Sequence, residues 1–134
     1  MHTISFCTSE FPTAAEGDLD YCNGQPGSVV AGWLRSALEV AGIAAGEALQ
    51  EDYGWGFWLD GPATVWVAVG FVDGGPGDAG AVPEWCVSVA HEVPLFAPRQ
   101  WFRRRAGREA AARAFDAIRG AVARRPGVEI VGDV

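Results

Sequence analysis

The sequence predicts an α+β fold, a two-layer sandwich in which a mainly antiparallel sheet of four or five strands carries two helices on one face. Alternating apolar and polar residues near the start of the chain indicate a strand. Two later segments repeat apolar residues at helical spacing, and strand-like segments joined by short glycine- and proline-rich loops lie between them. The chain has 134 residues, 49% of them hydrophobic, so we expect one domain spanning 1–134.

The first third of the chain predicts a strand, a loop and a helix. Residues 2–7 alternate, whereas residues 8–27 are rich in glycine, proline and acids, which favours a loop. We expect Ser28 to cap a helix that runs to Ala41, and Gly42 to end it. The apolar stripe of this helix consists of Val30, Trp33, Leu34, Ala37, Leu38 and Ala41.

Three strands follow as an antiparallel meander. The first covers residues 54–60, with a longer alternative that begins near Glu47, and an Asp-Gly-Pro turn leads to the second at 63–73. A glycine-rich loop at 74–83 precedes the third strand at 84–93. Connections without intervening helices join antiparallel neighbours.

The C-terminal part of the chain predicts a second helix. Residues 94–107 are irregular or form a short helix, and residues 107–124 repeat apolar side chains at helical spacing until Pro126 and Gly127 end the pattern. Residues 128–131 then add an edge strand. The apolar stripe of the second helix consists of Ala111, Ala114, Phe115, Ile118 and Val122.

Alternation within the strands assigns the two faces of the sheet. The side that we expect to pack against the helices consists of Ile4, Phe6, Trp55, Phe57, Leu59, Val65, Val67, Val69, Phe71, Val87, Val89 and His91. The opposite side consists of Thr3, Ser5, Cys7, Trp58, Trp66, Ala68, Gly70, Cys86, Ser88 and Ala90. The second set is nearly uncharged, whereas a solvated sheet face normally carries charged and long polar residues. An apolar surface of this kind usually marks an interface.

Trp58 and Trp66, with Ser88 beside them, form the centre of the predicted interaction surface. The acidic rim of this surface consists of Glu51, Asp52 and Asp60. Three explanations of the apolar face stay open at this point. The C-terminal segment folds across it, a second copy of the chain packs on it, or another partner or ligand binds there.

The charge of the chain is −7 in total and is unevenly distributed. Residues 1–92 carry thirteen carboxylates and one arginine, whereas residues 93–134 carry nine arginines and four carboxylates. Either the basic C-terminal helix neutralises an acidic body, or the chain has an acidic patch for a basic partner and an arginine patch for an anion. The negative total charge argues against nucleic acid and anionic membranes as partners, and it favours a basic protein.

Arginines and aromatic residues alternate just before and within the predicted second helix. The cluster consists of Arg99, Arg103, Arg104, Arg105 and Arg108 around Trp101 and Phe102. This composition is typical of nucleic-acid binding or of an amphipathic membrane-surface segment, but the total charge disfavours both. We expect the cluster to pair with acidic residues of its own chain or of another subunit. If it binds an anion, Arg103, Arg104 and Arg105 are the candidates.

The sequence contains no combination of residues that is specific for catalysis, metal or a cofactor, so we expect no catalytic residues, no metal site and no cofactor. The glycines of residues 75–80 match G-x-G-x-x-G, but a strand rather than a helix follows them, which favours a hairpin loop. The histidines and cysteines lack ligand spacing. Unpaired cysteines, the absence of a signal segment and the absence of a long apolar run predict a cytoplasmic protein.

The pattern of this chain resembles a family of small, acidic, uncharacterised bacterial proteins that share a "WL…L…G…EDYGW" core. The matching residues are Trp33-Leu34, Leu38, Gly42 and the run from Glu51 to Trp55, preceded by Cys22-Asn23-Gly24 in the loop. The resemblance covers about half of the chain and implies a fold but no catalytic residue. Size, acidity and tryptophan content are also similar to those of immunity proteins, which neutralise bacterial toxins through acidic or aromatic surfaces.

These observations lead to two hypotheses about function. The first is a non-enzymatic binding module, in its sharpest form an immunity-type inhibitor of a basic protein, that uses the apolar sheet face; self-association through that face is the other form. The alternative is a small-molecule-binding or enzymatic domain. Its pocket would lie between the 8–27 loop and Tyr53–Trp55, with Cys7, Asp52 and His91 as candidate groups.

Overall fold

Six strands and two helices make up the described part of the chain, which in this computed structural model comprises residues 1–13, 25–72, 81–92 and 104–134. In chain order the elements are β1 (His2–Cys7), α1 (Ser28–Val40), β2 (Leu49–Glu51), β3 (Gly54–Trp58), β4 (Val65–Val72), β5 (Glu84–His91), α2 (Arg104–Arg124) and β6 (Glu129–Asp133). All of the strands belong to one sheet in the order β2-β3-β4-β5-β1-β6, and every neighbouring pair is antiparallel. The predicted α+β class with an antiparallel sheet is confirmed.

The sheet has six strands rather than four or five because the segment before Asp60 is a hairpin. A turn at Asp52 and Tyr53 separates β2 from β3, and Gln50 pairs with Trp55 across it. The predicted strand at 54–60 ends at Trp58, after which Leu59 makes only an isolated bridge. The predicted C-terminal edge strand is confirmed, since β6 pairs with β1.

The hydrophobic core lies between the sheet and the helices, as the alternation predicted. Every residue assigned to the helix-facing side is buried, except that Phe71 and His91 are half-buried. Trp85, which neither predicted set included, is fully buried in the same core. α1 contacts β3, and α2 contacts β1, β4 and β5 as well as α1. The helices contribute Val30, Ala31, Leu34, Leu38, Ala111, Ala114, Phe115, Ile118 and Val122 to this core.

The ends of α1 follow from two glycines. Ser28 does not cap the helix as predicted; it is the first helical residue, and Gly27 occupies the cap position. A Cβ on Gly27 would lie 3.0 Å from Cδ1 of Trp55, so the close packing of Trp55 favours glycine there. Gly42 ends the helix as predicted. Its φ is +79°, it donates to the carbonyl of Glu39, and Ile43 donates to that of Leu38, which is a Schellman motif.

α2 begins at Arg104, three residues before the predicted start. Gly107 lies inside the helix, where glycine is required because the ring of His91 packs against it and leaves no space for a Cβ. Neither of the helices in the described ranges is long and apolar enough to cross a membrane.

Candidate functional site: the open face of the sheet

Trp58 and Trp66 lie side by side on the face of the sheet that points away from the helices. They form a direct pair across β3 and β4, with ring centroids 4.7 Å apart and planes inclined by 54°. Trp58 is 38% exposed although it adjoins Phe57, which is fully buried. The predicted position of both indoles on the bare side of the sheet is therefore confirmed.

The ring of Trp66 lies directly against Gly56. A Cβ on Gly56 would overlap the six-membered ring, so only glycine allows this arrangement. The ring then points its Nε1 towards Tyr53, to whose hydroxyl oxygen it donates a hydrogen bond of 2.8 Å. Leu49 pairs with Gly56 from β2 and is 43% exposed. We call Leu49, Tyr53, Trp58 and Trp66 the tryptophan patch.

Sequence reasoning missed Leu49 and Tyr53 as members of this patch. The signal that could have found Tyr53 was the glycine between large aromatic residues in β3, because an isolated glycine in a strand often marks a close approach of another group. Leu49 had no comparable signal, since its face depends on where the β2–β3 turn falls.

Small, half-buried residues make up the middle of the open face. Ser88, which was predicted to belong to the interface, lies in its middle, and its hydroxyl is 3.4 Å from that of Thr3. The neighbouring residues on β4 and β5 are Ala68, Gly70, Cys86 and Ala90. The described C-terminal segment does not fold across this face, because Val134 and β6 extend the sheet at the edge beside β1.

Carboxylates border the open face at several points. Glu51 pairs with Gly54 on the open side, and Asp52 and Asp60 are exposed beyond the two ends of β3. Glu84 and Glu129 both pair with Cys7, one from each neighbouring strand. The last two residues extend the predicted acidic rim to the far end of the sheet.

The thiol of Cys7 is affected by the negative charge at the end of the sheet that carries Glu84 and Glu129. Burial raises the pKa of its thiol, and the carboxylates of Glu84 and Glu129 raise the pKa further. Because a thiolate is the reactive form of cysteine, Cys7 is poorly suited to act as a nucleophile at neutral pH.

The described arginines all lie in the helical layer. They are Arg35 on α1, Arg104, Arg105, Arg108, Arg113, Arg119 and Arg124 on α2, and Arg125 directly after it. The described part of the molecule is thus electrically polarised, with a basic helical side and an acidic sheet side.

One contact joins the basic C-terminal segment to the acidic part of the sequence. Arg125 forms an ion pair of 2.9 Å with Glu10 and stacks over the rings of Phe11 and Trp33, at 4.6 and 4.8 Å from their centroids. Within the described ranges, Arg105 also pairs with Glu109, and Arg119 pairs with Asp116 and Asp133. Asp133 belongs to β6, so the Arg119–Asp133 pair joins the helical layer to the edge of the sheet.

The groups proposed for the alternative, enzymatic site do not come together. Cys7 pairs with one end of β5, whereas His91 is at the other end and faces α2. Asp52 is on the β2–β3 turn, at the far edge of the sheet from β1. The described ranges contain no group of three His, Cys, Asp or Glu side chains that could hold a metal ion. Residues 14–24 of the 8–27 loop lie outside those ranges.

The predicted anion-binding arginines separate in a similar way. Arg103 lies outside the described residues, Arg105 is highly exposed and pairs with Glu109 at 3.0 Å on its own helix, and Arg104, also exposed, lines a cavity between α2 and the sheet. Arg108, one turn later, lines the same cavity. The described arginines of the sequence cluster are thus divided between this cavity and an ion pair on the helix surface.

Comparison of the chain with protein-family models, with curated proteins and with solved structures gives no match. The resemblance to small bacterial proteins with a "WL…L…G…EDYGW" core, and to immunity proteins, therefore stays a prediction. No relative supplies a site residue, so function has to be inferred from the two faces of the molecule.

Proposed function

We propose that this protein is a non-enzymatic binding module that docks a basic protein partner on the open face of its sheet. The observation that carries the proposal is the tryptophan patch: two indoles in contact, a tyrosine and a leucine lie on a sheet face that the described helices leave bare. Large apolar groups on a surface usually mark an interaction site.

The shape of the face favours a macromolecule over a small ligand. Small residues such as Ala68, Gly70 and Ser88 continue the face beside the tryptophans and offer few side chains that could enclose a ligand, whereas small-molecule sites are concave. Tryptophan and tyrosine are enriched among the residues that dominate protein–protein binding energy. Trp66 is also held in place before binding by Gly56 and Tyr53, which lowers the entropic cost of association.

The charge of the face favours a basic partner over a second copy of the chain. Carboxylates of Glu51, Glu84 and Glu129 border it, while the described arginines lie in the other layer. Two copies packed through this face would bring like charges together, which opposes association. A basic surface would instead be attracted to it and steered towards the tryptophans.

An immunity-type inhibitor is the most specific form of this proposal. Such a protein would cover the basic surface with which a toxin binds nucleic acid. An apolar centre with an acidic rim is complementary to a surface of that kind. The similarity of composition noted above supports this form, and the proposal of a docking face does not depend on it.

The test is a comparison of three versions of the chain as bait in extracts of the native host. Trp58→Ser with Trp66→Ser removes the centre of the proposed interface, and Val40→Ser removes an equally apolar side chain that is 91% exposed at the end of α1. We expect a basic protein to bind the wild type and the Val40→Ser control and to be lost with the double variant. Calorimetry with the purified pair should then show affinity that falls steeply with salt.

Two results would contradict the proposal. A partner that binds the double variant as tightly as the control, while circular dichroism shows both folded, would place the interface elsewhere. Sedimentation that shows a wild-type dimer and a monomeric double variant would assign the face to self-association instead.

A further inference from the structure

A second feature lies on the opposite side of the sheet from the tryptophan patch. A cavity of about 370 Å³ opens where the first turns of α2 cross the ends of β1 and β5. Both histidines of the chain, His2 and His91, line it together with Arg104 and Arg108. Met1, Val89 and Ala111 are its apolar lining residues, and the volume is in the range of small-molecule sites.

The polar groups of this cavity are held in position by packing. The ring of His2 stacks on Phe115 with centroids 5.0 Å apart and an angle of 22° between the planes. The ring of His91 occupies the space that a Cβ on Gly107 would need. Arg104 and Arg108 are four residues apart on α2, so they project from the same side of the helix.

The cavity is also electropositive. No carboxylate is among its described lining residues. Glu109 is bound by Arg105 outside it. Glu92 follows His91 in the chain, but its charge acts on Tyr53 at the other face of the sheet. Residues 93–103, which lie between His91 and Arg104 in the sequence, contain no Asp or Glu.

We propose that this cavity binds a small phosphate ester. Guanidinium groups bind phosphate oxygens in a forked geometry, and imidazole N–H groups add two further donors. The exposed side chain of Met1, which also lines the cavity, would contact the organic part of the ligand. Phosphate fits better than carboxylate because two guanidinium groups and two imidazoles line one cavity, and the two arginine charges match a doubly charged anion. The inference is independent of the proposed docking face, since the two sites lie on opposite sides of the sheet.

The test uses the fact that the chain has only two histidines. In an untagged protein, the imidazole carbon–proton signals of His2 and His91 are therefore the only histidine signals in the NMR spectrum. The probes are inorganic phosphate and phenyl phosphate, titrated at fixed pH against sodium chloride of equal ionic strength. We expect both signals to shift saturably with one dissociation constant, and phenyl phosphate to bind more tightly than inorganic phosphate if an organic ester is the ligand.

Variants on α2 separate a built site from general charge. Arg108→Gln should weaken phenyl phosphate binding about tenfold by removing a charge-assisted contact, and glutamine keeps the helix stable. Arg105→Gln removes the same charge one turn away on the outward side and should leave the affinity unchanged. Gly107→Ala should displace the ring of His91 and also weaken binding.

The proposal is overturned if sodium chloride reproduces the shifts, if they fail to saturate, or if Arg105→Gln and Arg108→Gln weaken binding equally. If inorganic phosphate and phenyl phosphate bind equally tightly, the anion site is supported, but its assignment to an organic phosphate ester is contradicted. Trp58→Ser with Trp66→Ser should leave the titration unchanged, so failure of one proposal is distinguishable from failure of the other.

Discussion

Phe57 and Trp58 are neighbours on β3, yet they stand in different environments. Phe57 is fully buried between the sheet and the helices, whereas Trp58 is 38% exposed on the open face. The helix-facing side of the strand contributes to folding free energy by burial of apolar surface. The open side buries less apolar surface and leaves the large ring of Trp58 partly exposed. Because an exposed ring lowers solubility, a binding function explains it better than a contribution to stability.

The largest expected effect is on the free energy of unfolding when Phe57 or Trp58 is replaced. Phe57→Ala should lower the free energy of unfolding by about 3–5 kcal/mol, because it removes a fully buried ring and leaves a cavity. Trp58→Ala should lower it by roughly 1–2 kcal/mol, since it removes only a partly buried ring and its contact with Trp66. Urea unfolding followed by far-ultraviolet circular dichroism measures both. Equal losses would show that Trp58 belongs to the core, and the surface it marks would then need another explanation.

A smaller effect is expected from two glycines of the open face. Gly56→Ala should destabilise the fold by about 1–3 kcal/mol, because the new methyl group overlaps the ring of Trp66 and forces it to move. Gly70→Ala is the matched control on the next strand, since its nearest neighbouring atoms would be 3.9 Å from the new Cβ. It should change stability by no more than about 0.5 kcal/mol.

Near-ultraviolet circular dichroism shows whether the tryptophan environment changes with these substitutions. We expect the Gly56→Ala spectrum to differ from the wild type and the Gly70→Ala spectrum to match it. If Gly56→Ala leaves both the spectrum and the stability unchanged, Trp66 does not lie on Gly56. The tryptophan patch would then lack the preorganisation that the proposed interface uses.

The same two sides of the sheet explain what the sequence alone could and could not predict. Alternation is local, so it correctly assigned to the helix side Ile4, Phe6, Val65, Val67, Val69, Val87 and Val89. The start of α2 was predicted at Gly107 instead of Arg104, and the turn before Gly54, between β2 and β3, was not predicted. One glycine makes room for His91 inside a helix, and the other follows a turn. Only tertiary contacts distinguish these uses.

For the candidate sites too, the sequence predicted what depends on local alternation and missed what depends on tertiary contacts. Trp58 and Trp66 were found because their face follows from strand alternation. The cavity of His2, His91, Arg104 and Arg108 was not found, because its members come from three elements and meet only when α2 crosses the sheet. The contribution of Glu84 and Glu129 to the acidic rim was not predicted either, because it depends on the register of β5 and β6 against β1.

The smallest expected effect is a titration that reports the charge of the open face. Burial raises the pKa of the Tyr53 hydroxyl and the carboxylates of Glu51 and Glu92 raise it further, while the hydrogen bond from Trp66 lowers it; the net pKa is above the ordinary value of 10.0. The folded chain therefore holds this proton at pH values where the unfolded chain has lost it. Its contribution to stability is complete below the pKa of unfolded tyrosine and is lost as the pH rises through the raised value.

Ultraviolet absorbance of tyrosinate measures this pKa in a Tyr21→Phe background, since the chain has two tyrosines. Glu51→Gln should lower the pKa of Tyr53 because it removes a repelling charge, and Glu47→Gln, which changes the same charge before β2, should not. Trp66→Phe removes the donated hydrogen bond and should act in the opposite direction. A Tyr53 that titrates at or below the pKa of the urea-unfolded chain would mean that the open face is neither desolvated nor acidic, and a basic partner would lose its physical reason for binding there.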